Sequence, residues 1–197
     1  SLTPTLVIGS IEGRRIASLR HMKLLILDKD GTLTTTASGE TFVQHPEDQV
    51  LLPGVAEALQ RYQDEGWKVA IASNQGGVAA GHKSLDEAVA EMRYCITLLP
   101  SKVPFSFLCP DFQGEECWML DGAELIALHG VDVNLSFEKS FRKPSPGMIF
   151  AARAMQLREV LKTLFVGDRP EDQQTAANAG VQFMWAEEWR NLEPSTH

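Results

Sequence analysis

The sequence lacks the features that mark membrane-spanning and disulfide-stabilised proteins. No apolar run approaches the roughly 18 residues that a membrane helix requires. Only three cysteines occur among 197 residues, an odd number that is too small for a secreted disulfide framework. The sequence therefore predicts a protein with no membrane partner that works in the reducing cytoplasm.

Basic residues are in the minority, with 18 lysines and arginines against 26 aspartates and glutamates and a formal net charge of −8. An acidic surface repels a phosphate backbone, so nucleic acid is a disfavoured partner, although a local basic pocket can override the overall charge. No internal repeat, low-complexity run or linker is present. The length and the 44% of hydrophobic residues predict one globular domain. Nothing in the pattern indicates an oligomeric state.

The first residues carry the marks of an added tag. "IEGR" at 11–14 is a protease cleavage site used in expression vectors, and "HM" at 21–22 is typical of a cloning junction. We expect residues 1–21 to be a vector-derived tag, with a native flexible arm as the alternative. Residues 22–197 are then the single folded domain.

From Lys23 onward, short apolar runs alternate with longer amphipathic segments, which predicts βα units and a parallel sheet. Strands are predicted at residues 24–27, 68–72, 105–109, 163–166 and 181–185. Helices are predicted at residues 55–65, from the capping-box sequence "SLDE" at 84–87, after Pro146, and after Pro170 up to Gly180.

Residues 110–141 break this alternation. They contain a plausible short helix at 123–128 but no clear strand, so we predict a small insertion or extended loop at the strand ends. A surface excursion without a role and a segment that shapes the substrate site are equally compatible with the pattern.

Polar residues cluster where the predicted strands end. In parallel α/β sheets, functional groups collect at the carboxyl ends of the strands. Carboxylates together with a lysine and a hydroxyl suit a magnesium ion and a phosphate, because magnesium prefers hard oxygen ligands. The candidate residues are Asp28 and Asp30, Ser73 and Asn74, Arg142 and Lys143, and Asp168 and Asp172.

These residue types predict a division of labour around a phosphate. Asp28, Asp168 and the backbone carbonyl of Asp30 would bind magnesium, while Lys143 and the Ser73 hydroxyl would hold the phosphate oxygens. Asp28 is the candidate nucleophile that forms an aspartyl-phosphate. Asp30 is the candidate acid that protonates the leaving alcohol and the base that later activates water.

The residues between and after these two aspartates have simpler predicted roles. Lys29 is expected to point away by strand alternation. Gly31 is expected to let the chain turn sharply, so that both acids face one site. Taken singly, each motif has a structural alternative, such as a loop cap, a solvated basic pair or an acidic helix N-terminus. Their occurrence together and in order favours the chemical interpretation.

In that order the motifs resemble those of the haloacid dehalogenase (HAD) superfamily. The matching stretches are "DKDGTL" at 28–33, "SNQGG" at 73–77, "RKPSPGM" at 142–148 and "GDRPEDQQTAANAG" at 167–180. They are most similar to its class III phosphatases, a group that includes heptose bisphosphate phosphatase, histidinol-phosphate phosphatase and the 3'-phosphatase domain of polynucleotide kinase. The resemblance extends from Met22 to about Trp185.

The resemblance implies a Rossmann-like parallel sheet flanked by helices, magnesium dependence and an aspartyl-phosphate intermediate. It also implies that Asn74 and Arg142 contact the substrate and that Asp172 supports the metal site or its lysine. Residues 35–52 leave no room for a large cap domain, so little or no cap is expected.

The sequence departs from several class III relatives in one respect. Those relatives carry a zinc loop with a Cys-x-His pair and a Cys-x-Cys pair before the third motif. Here Asp111 stands where the histidine would be, and Cys117 is followed by tryptophan and methionine. A structural zinc site needs four good ligands, so zinc is not expected. Cys109 is expected to be a buried apolar residue.

The sequence favours a magnesium-dependent phosphomonoester hydrolase that acts on a small phosphorylated metabolite, such as a sugar phosphate or a histidinol phosphate-like compound. One alternative keeps the chemistry and changes the substrate, giving a polynucleotide 3'-phosphatase. Another is a non-catalytic phosphate-binding module.

Overall fold

A computed structural model describes residues 21–129 and 140–192. The predicted tag, apart from His21, and residues 130–139 of the predicted insertion lie outside the described residues. None of the helices in the described part of the chain has the length and apolar character needed to cross a bilayer.

A seven-stranded sheet forms the centre of the fold. Its parallel strands are β1 (His21–Leu27), β4 (Trp67–Asn74), β5 (Phe105–Cys109), β8 (Glu159–Gly167) and β9 (Gln182–Trp185). Two antiparallel strands, β6 (Trp118–Asp121) and β7 (Glu124–Ala127), extend one edge, so the strand order is β7-β6-β5-β4-β1-β8-β9. A separate small sheet pairs β2 (Thr34–Thr35) with β3 (Val50–Leu51).

Helices cover both faces of the large sheet. Leu25 and Leu27 of β1 share a core with α1 (Val55–Asp64), α2 (Leu85–Leu98) and α5 (Ala186–Asn191). Leu24 and Ile26 point the other way and share a second core with α3 (Gly147–Ala154) and α4 (Pro170–Ala179). A strand buried on both faces is continuously apolar, which explains the unbroken run in β1. The predicted α/β Rossmann-like fold is confirmed.

Outside residues 110–141, the predicted strands and helices are confirmed, with ends that differ by a few residues. The capping box at the start of α2 is present: the Ser84 hydroxyl accepts from the Glu87 amide at 3.1 Å, and the Glu87 carboxylate accepts from the Ser84 amide at 2.7 Å. α4 ends at Gly180, whose φ is +68°. α5 was not predicted.

The prediction for residues 110–141 was wrong in part. The structure places a β-hairpin, β6 and β7, where a helix at 123–128 and no strand were predicted. Asp121 and Glu124 pair across a turn that contains Gly122 with φ +56°. The two central residues of this turn are Gly122 and Ala123, and a glycine with positive φ at the first central position is typical of two-residue hairpin turns, which outweighs the short helical pattern of the second strand.

Candidate active site

The chain leaves β1 at Asp28 and turns at once, which places the first two acids at the carboxyl edge of the sheet. Gly31 makes this turn with φ +80°, a conformation that favours glycine. A β-carbon at Gly31 would overlap Oδ2 of Asp168, in the loop after β8. The Thr32 hydroxyl donates to Oδ2 of Asp28 at 3.2 Å. The predicted turn is confirmed, and it brings the first and fourth motifs into contact.

A buried lysine joins two of the aspartates. Nζ of Lys143, a residue that is only 4% exposed, donates to Oδ1 of Asp28 and to Oδ1 of Asp172, each at 2.7 Å. Burial disfavours the ammonium, but the charges of Asp28 and Asp172 outweigh burial and raise the pKa of Lys143. Lys143 therefore stays protonated and fixes both carboxylates.

The backbone of Lys143 is held from β4. The Asn74 side chain donates from Nδ2 to the carbonyl of Lys143 and accepts at Oδ1 from its amide, both at 3.0 Å. This pair of hydrogen bonds uses both ends of the Asn74 amide. Asn74 thus positions Lys143, and its contact with a substrate stays a prediction.

The site has more negative than positive charge. Burial raises the pKa of Asp28 to about 7; Lys143 counteracts this effect and the charge of Asp172 adds to it. Because the single ammonium of Lys143 pairs with the carboxylates of both Asp28 and Asp172, a further cation would favour the ionised form of Asp28.

The donor set fits a divalent metal ion. Carboxylate oxygens of Asp28, Asp168 and Asp172 lie within 4.8 Å of one another. All three are hard oxygen donors of the kind that magnesium prefers. Asp172 is already engaged: its Oδ2 accepts from the amides of Asp168 and Arg169 at 3.2 and 3.1 Å, and its Oδ1 holds Lys143. Asp168 has the more accessible carboxylate of these two.

Asp30 has partners that the sequence interpretation did not foresee. Oδ1 of Asp30 accepts from Nζ of Lys29 at 2.7 Å, and Oδ2 accepts from Nε2 of Gln75 at 3.2 Å. Burial raises the pKa of Asp30, but the Lys29 ammonium, together with Lys83 and Gln75, outweighs burial and brings the pKa below its ordinary value. The carboxylate form is therefore favoured.

The prediction that Lys29 points away from the site was wrong. Its side chain is fully buried and pairs with the half-exposed side chain of Asp30. The alternation rule applies within a strand, whereas β1 ends at Leu27 and the chain turns over the next residues.

The sequence matches the family profile described as "Polynucleotide kinase 3 phosphatase" over residues 23–189. The chain belongs to this family. It is a phosphatase of the HAD superfamily, as its motifs and its sheet indicate.

Curated relatives and a solved structure agree with this assignment. D-glycero-D-manno-heptose-1,7-bisphosphate 7-phosphatase of Thermosynechococcus vestitus is 31% identical over 79% of this chain and 74% of its own length. D-glycero-beta-D-manno-heptose-1,7-bisphosphate 7-phosphatase of Pseudomonas putida is 29% identical over 82% of this chain and 80% of its own length. The crystal structure of D,D-heptose 1,7-bisphosphate phosphatase from B. bronchiseptica, complexed with magnesium and phosphate, superposes with a TM-score of 0.59 at 28% identity. The superposition covers 82% of this chain and 79% of the chain in the crystal structure.

Two further predicted residues of this phosphatase lie at the same edge of the sheet. Ser73 is buried at the end of β4, and its Oγ accepts from Nε2 of Gln75 at 2.8 Å. The guanidinium of Arg142 lies 5.2 Å from the centre of the Phe112 ring. Nη1 of Arg142 is buried and has no hydrogen-bond partner within the described residues. Arg142 therefore retains a donor that a ligand can satisfy.

Gln75, Lys83 and Phe112 are the neighbours that sequence reasoning missed. Gln75 stands inside the quoted second motif, and that proximity was the available signal. Lys83 and Phe112 occupy loops where the sequence shows no pattern. Cys109 is buried as predicted, its thiol donates to Oδ1 of Asp111 at 3.3 Å, and burial raises its pKa to about 12. The absence of zinc stays a prediction.

Proposed function

We propose that this phosphatase is a magnesium-dependent phosphomonoester hydrolase that works through an aspartyl-phosphate on Asp28. The observation that carries the proposal is Lys143, whose buried ammonium bridges Asp28 and Asp172 beside the accessible carboxylate of Asp168. A nucleophilic carboxylate next to a fixed cation suits attack on a phosphate, since the cation stabilises charge on the phosphoryl oxygens.

The metal-binding role falls to a small set of oxygens. Asp28, Asp168 and the backbone carbonyl of Asp30 are the proposed ligands, and Asp172 supports them through Lys143 and the amides at the start of α4. When bound, the magnesium ion would neutralise charge on the phosphate. Ser73 and Lys143 are proposed to hold phosphate oxygens, and Arg142 and Asn74 to contact the substrate.

The reaction follows from two acids with different surroundings. The Asp28 carboxylate attacks phosphorus and the bond from phosphorus to the leaving oxygen breaks. Asp30, whose surroundings favour the carboxylate, first takes up a proton from solvent and then gives that proton to the leaving oxygen. Asp30, now a carboxylate, then takes a proton from water. The water oxygen attacks phosphorus, and inorganic phosphate and the free Asp28 carboxylate are released. Lys29 and Gln75 stabilise the carboxylate form of Asp30, which is the form that the second step requires.

A small sugar phosphate is the proposed substrate. The curated relatives described above are named heptose-1,7-bisphosphate 7-phosphatases, and the net charge of −8 opposes a nucleic-acid ligand. A histidinol phosphate-like compound has the same kind of ester bond and belongs in the same screen. The name of the family favours a second candidate, a polynucleotide 3'-phosphatase.

The test is a phosphate-release screen with magnesium over sugar phosphates, histidinol phosphate, p-nitrophenyl phosphate and a 3'-phosphorylated oligonucleotide. We expect turnover of a sugar phosphate, and a loss of roughly 10³-fold or more in Asp28→Asn, because an amide is a poor nucleophile. Unchanged hydrolysis of p-nitrophenyl phosphate by Asp28→Asn would contradict the mechanism.

The same screen separates the alternatives. Turnover of the oligonucleotide alone would replace the sugar-phosphate proposal with the 3'-phosphatase. Background rates on every ester, with binding of magnesium and phosphate intact, would indicate a non-catalytic phosphate-binding protein.

A further inference from the structure

Gln75 makes three polar contacts that connect Asp30 with a lysine outside the four motifs. Its Nε2 donates to Oδ2 of Asp30 at 3.2 Å and to Oγ of Ser73 at 2.8 Å. Its Oε1 accepts from Nζ of Lys83 at 2.7 Å. Gln75 is 3% exposed, so its amide has little access to water as a substitute partner.

The lysine determines which end of the amide faces the site. An ammonium has donors and no acceptor, so only Oε1 of Gln75 can face Lys83. The NH₂ group must then point towards Asp30 and Ser73. Without Lys83, an amide turned by 180° would place an oxygen against the Asp30 carboxylate, and two acceptors repel each other.

Lys83 is itself held in place. Its Nζ donates to Oε2 of Glu91 at 2.8 Å, and the Glu91 side chain is 5% exposed. The Glu91 carbonyl accepts from Nε2 of Gln49 at 3.0 Å. The α2 helix thus fixes the ammonium, and the ammonium fixes the amide.

We propose that Lys83 is a positioning residue for the acid–base step, acting through the amide of Gln75 on Asp30. The inference rests on the proposed function, since it concerns how Asp30 meets the leaving oxygen. Gln75 donates to the Ser73 oxygen, while the Ser73 hydroxyl donates its own proton to the Asn74 carbonyl at a long 3.5 Å and can turn that proton towards a phosphate oxygen. Lys83 therefore also affects phosphate binding, to a smaller extent.

Leaving-group dependence distinguishes positioning of Asp30 from a general structural role. The leaving group of p-nitrophenyl phosphate is a stable phenolate that needs no proton, whereas an alkyl phosphate needs one. The value of kcat/KM reports the steps up to departure of the leaving group, so it isolates the acid step. A defect in Asp30 placement must lower kcat/KM for the alkyl ester more than for the aryl ester.

The experiment compares Lys83→Met, Gln75→Leu and the double variant on p-nitrophenyl phosphate and on the alkyl phosphate that the wild-type protein hydrolyses fastest. Because correct placement of an acid–base group contributes about 10²–10⁴-fold, we expect a loss of at least about tenfold in the ratio of alkyl to aryl kcat/KM. If Lys83 acts through Gln75, Lys83→Met has no further effect on the ratio in the Gln75→Leu protein.

Controls keep the test independent of folding. Lys83→Met leaves the buried Glu91 carboxylate without its cation, so Lys83→Met/Glu91→Gln is measured alongside it, and thermal melting checks each variant. Lys68→Met removes an exposed ammonium from β4 and should leave both esters unchanged. Equal losses on the two esters, an unchanged ratio in the Lys83 variants, or independent effects of Lys83→Met and Gln75→Leu, would overturn the inference. A wild-type protein that hydrolyses neither ester would instead contradict the proposed function.

Discussion

Arg190 offers a sharp test of how the first motif is held, because the chain contains a matched control. Nη1 of Arg190 donates to the carbonyls of Gly31 and Thr32 at 3.2 and 2.9 Å. Arg93 does the same for another tight turn: its Nη1 and Nη2 donate to the carbonyls of Gly122 and Ala123 at 3.0 and 2.8 Å. Each guanidinium bridges two consecutive carbonyls, and only the first pair borders the proposed site.

The magnitude follows from these contacts. A hydrogen bond from a charged donor contributes about 1.5–3 kcal/mol, and one N–H group shared by two carbonyls counts as roughly one such bond. Arg190→Met should therefore lower the melting temperature by about 3–12 °C, since 1 kcal/mol corresponds to roughly 2–4 °C in a domain of this size. Releasing the turn next to Asp30 should lower kcat by about 10- to 100-fold, because a displacement of about 1 Å costs up to 10²-fold.

The assay pairs thermal melting with steady-state kinetics on the fastest ester of the screen. Arg93→Met should melt at a lower temperature than the wild type, by less than Arg190→Met because its bonds are exposed, and should keep wild-type turnover. Arg190→Lys should recover part of the activity by restoring a donor. If Arg190→Met melted at a lower temperature but turned over at the wild-type rate, the guanidinium would only stabilise the fold, and the positioning argument would be refuted.

Two other changes test the turn and the loop beside it. Gly31→Ala should destabilise the fold by about 1–3 kcal/mol through backbone strain and should also lower activity, because the new methyl group displaces Asp168. Gly39→Ala is the control: Gly39 has the same φ of +80° but no atom within 4 Å of the added carbon. It should lower the melting temperature through strain alone and keep normal turnover. Hydrogen bonds to the Asp48 carboxylate, of which the bond from the Gln44 amide has the largest effect, lower the pKa of Asp48. The ionised Asp48 therefore stabilises the loop fully above the ordinary pKa of 3.8, and this stabilisation is lost as the pH falls through the lower pKa of the folded protein. Protection of the Gln44 amide from hydrogen exchange, corrected for intrinsic rates, should fall in the wild type as the pH drops below 3.8. Protection that stays constant from pH 6 down to acid unfolding would contradict this.

The large-scale fold could be predicted because hydrophobic periodicity encodes it directly. A strand such as β1, buried on both faces, reads as an unbroken apolar run, and a helix such as α2 carries its own capping box. The hairpin of β6 and β7 was missed because four-residue strands carry little periodic signal. α5 was missed because six residues span less than two helical turns, and its burial depends on Trp189 fitting a core built by distant segments.

The candidate site was predictable to the extent that strand ends converge in a parallel sheet. That rule correctly brings together Asp28, after β1, and Asp168, after β8. Lys143 lies ahead of α3 rather than at a strand end, 115 residues from Asp28 along the chain, so the motif pattern and not the strand-end rule predicted its place. The strand-end rule says nothing of side chains that reach the site from elsewhere. Lys83 lies in the loop before α2, and Arg190 lies in α5. Such contacts depend on how loops and helices pack, which local sequence does not encode.

The placement of Lys29 changes how the charges of the first motif are understood. The sequence presents Asp28 and Asp30 as two acids without local partners, yet the structure pairs each with a buried ammonium: Lys143, which Asp28 shares with Asp172, and Lys29, which pairs with Asp30. Four carboxylates, with Asp168 and Asp172 included, then face two ammonium groups, which leaves a net charge of about −2. A phosphate dianion would be repelled by that charge, and a divalent cation would cancel it. The electrostatics of the described residues thus favour a bound divalent cation independently of the family resemblance.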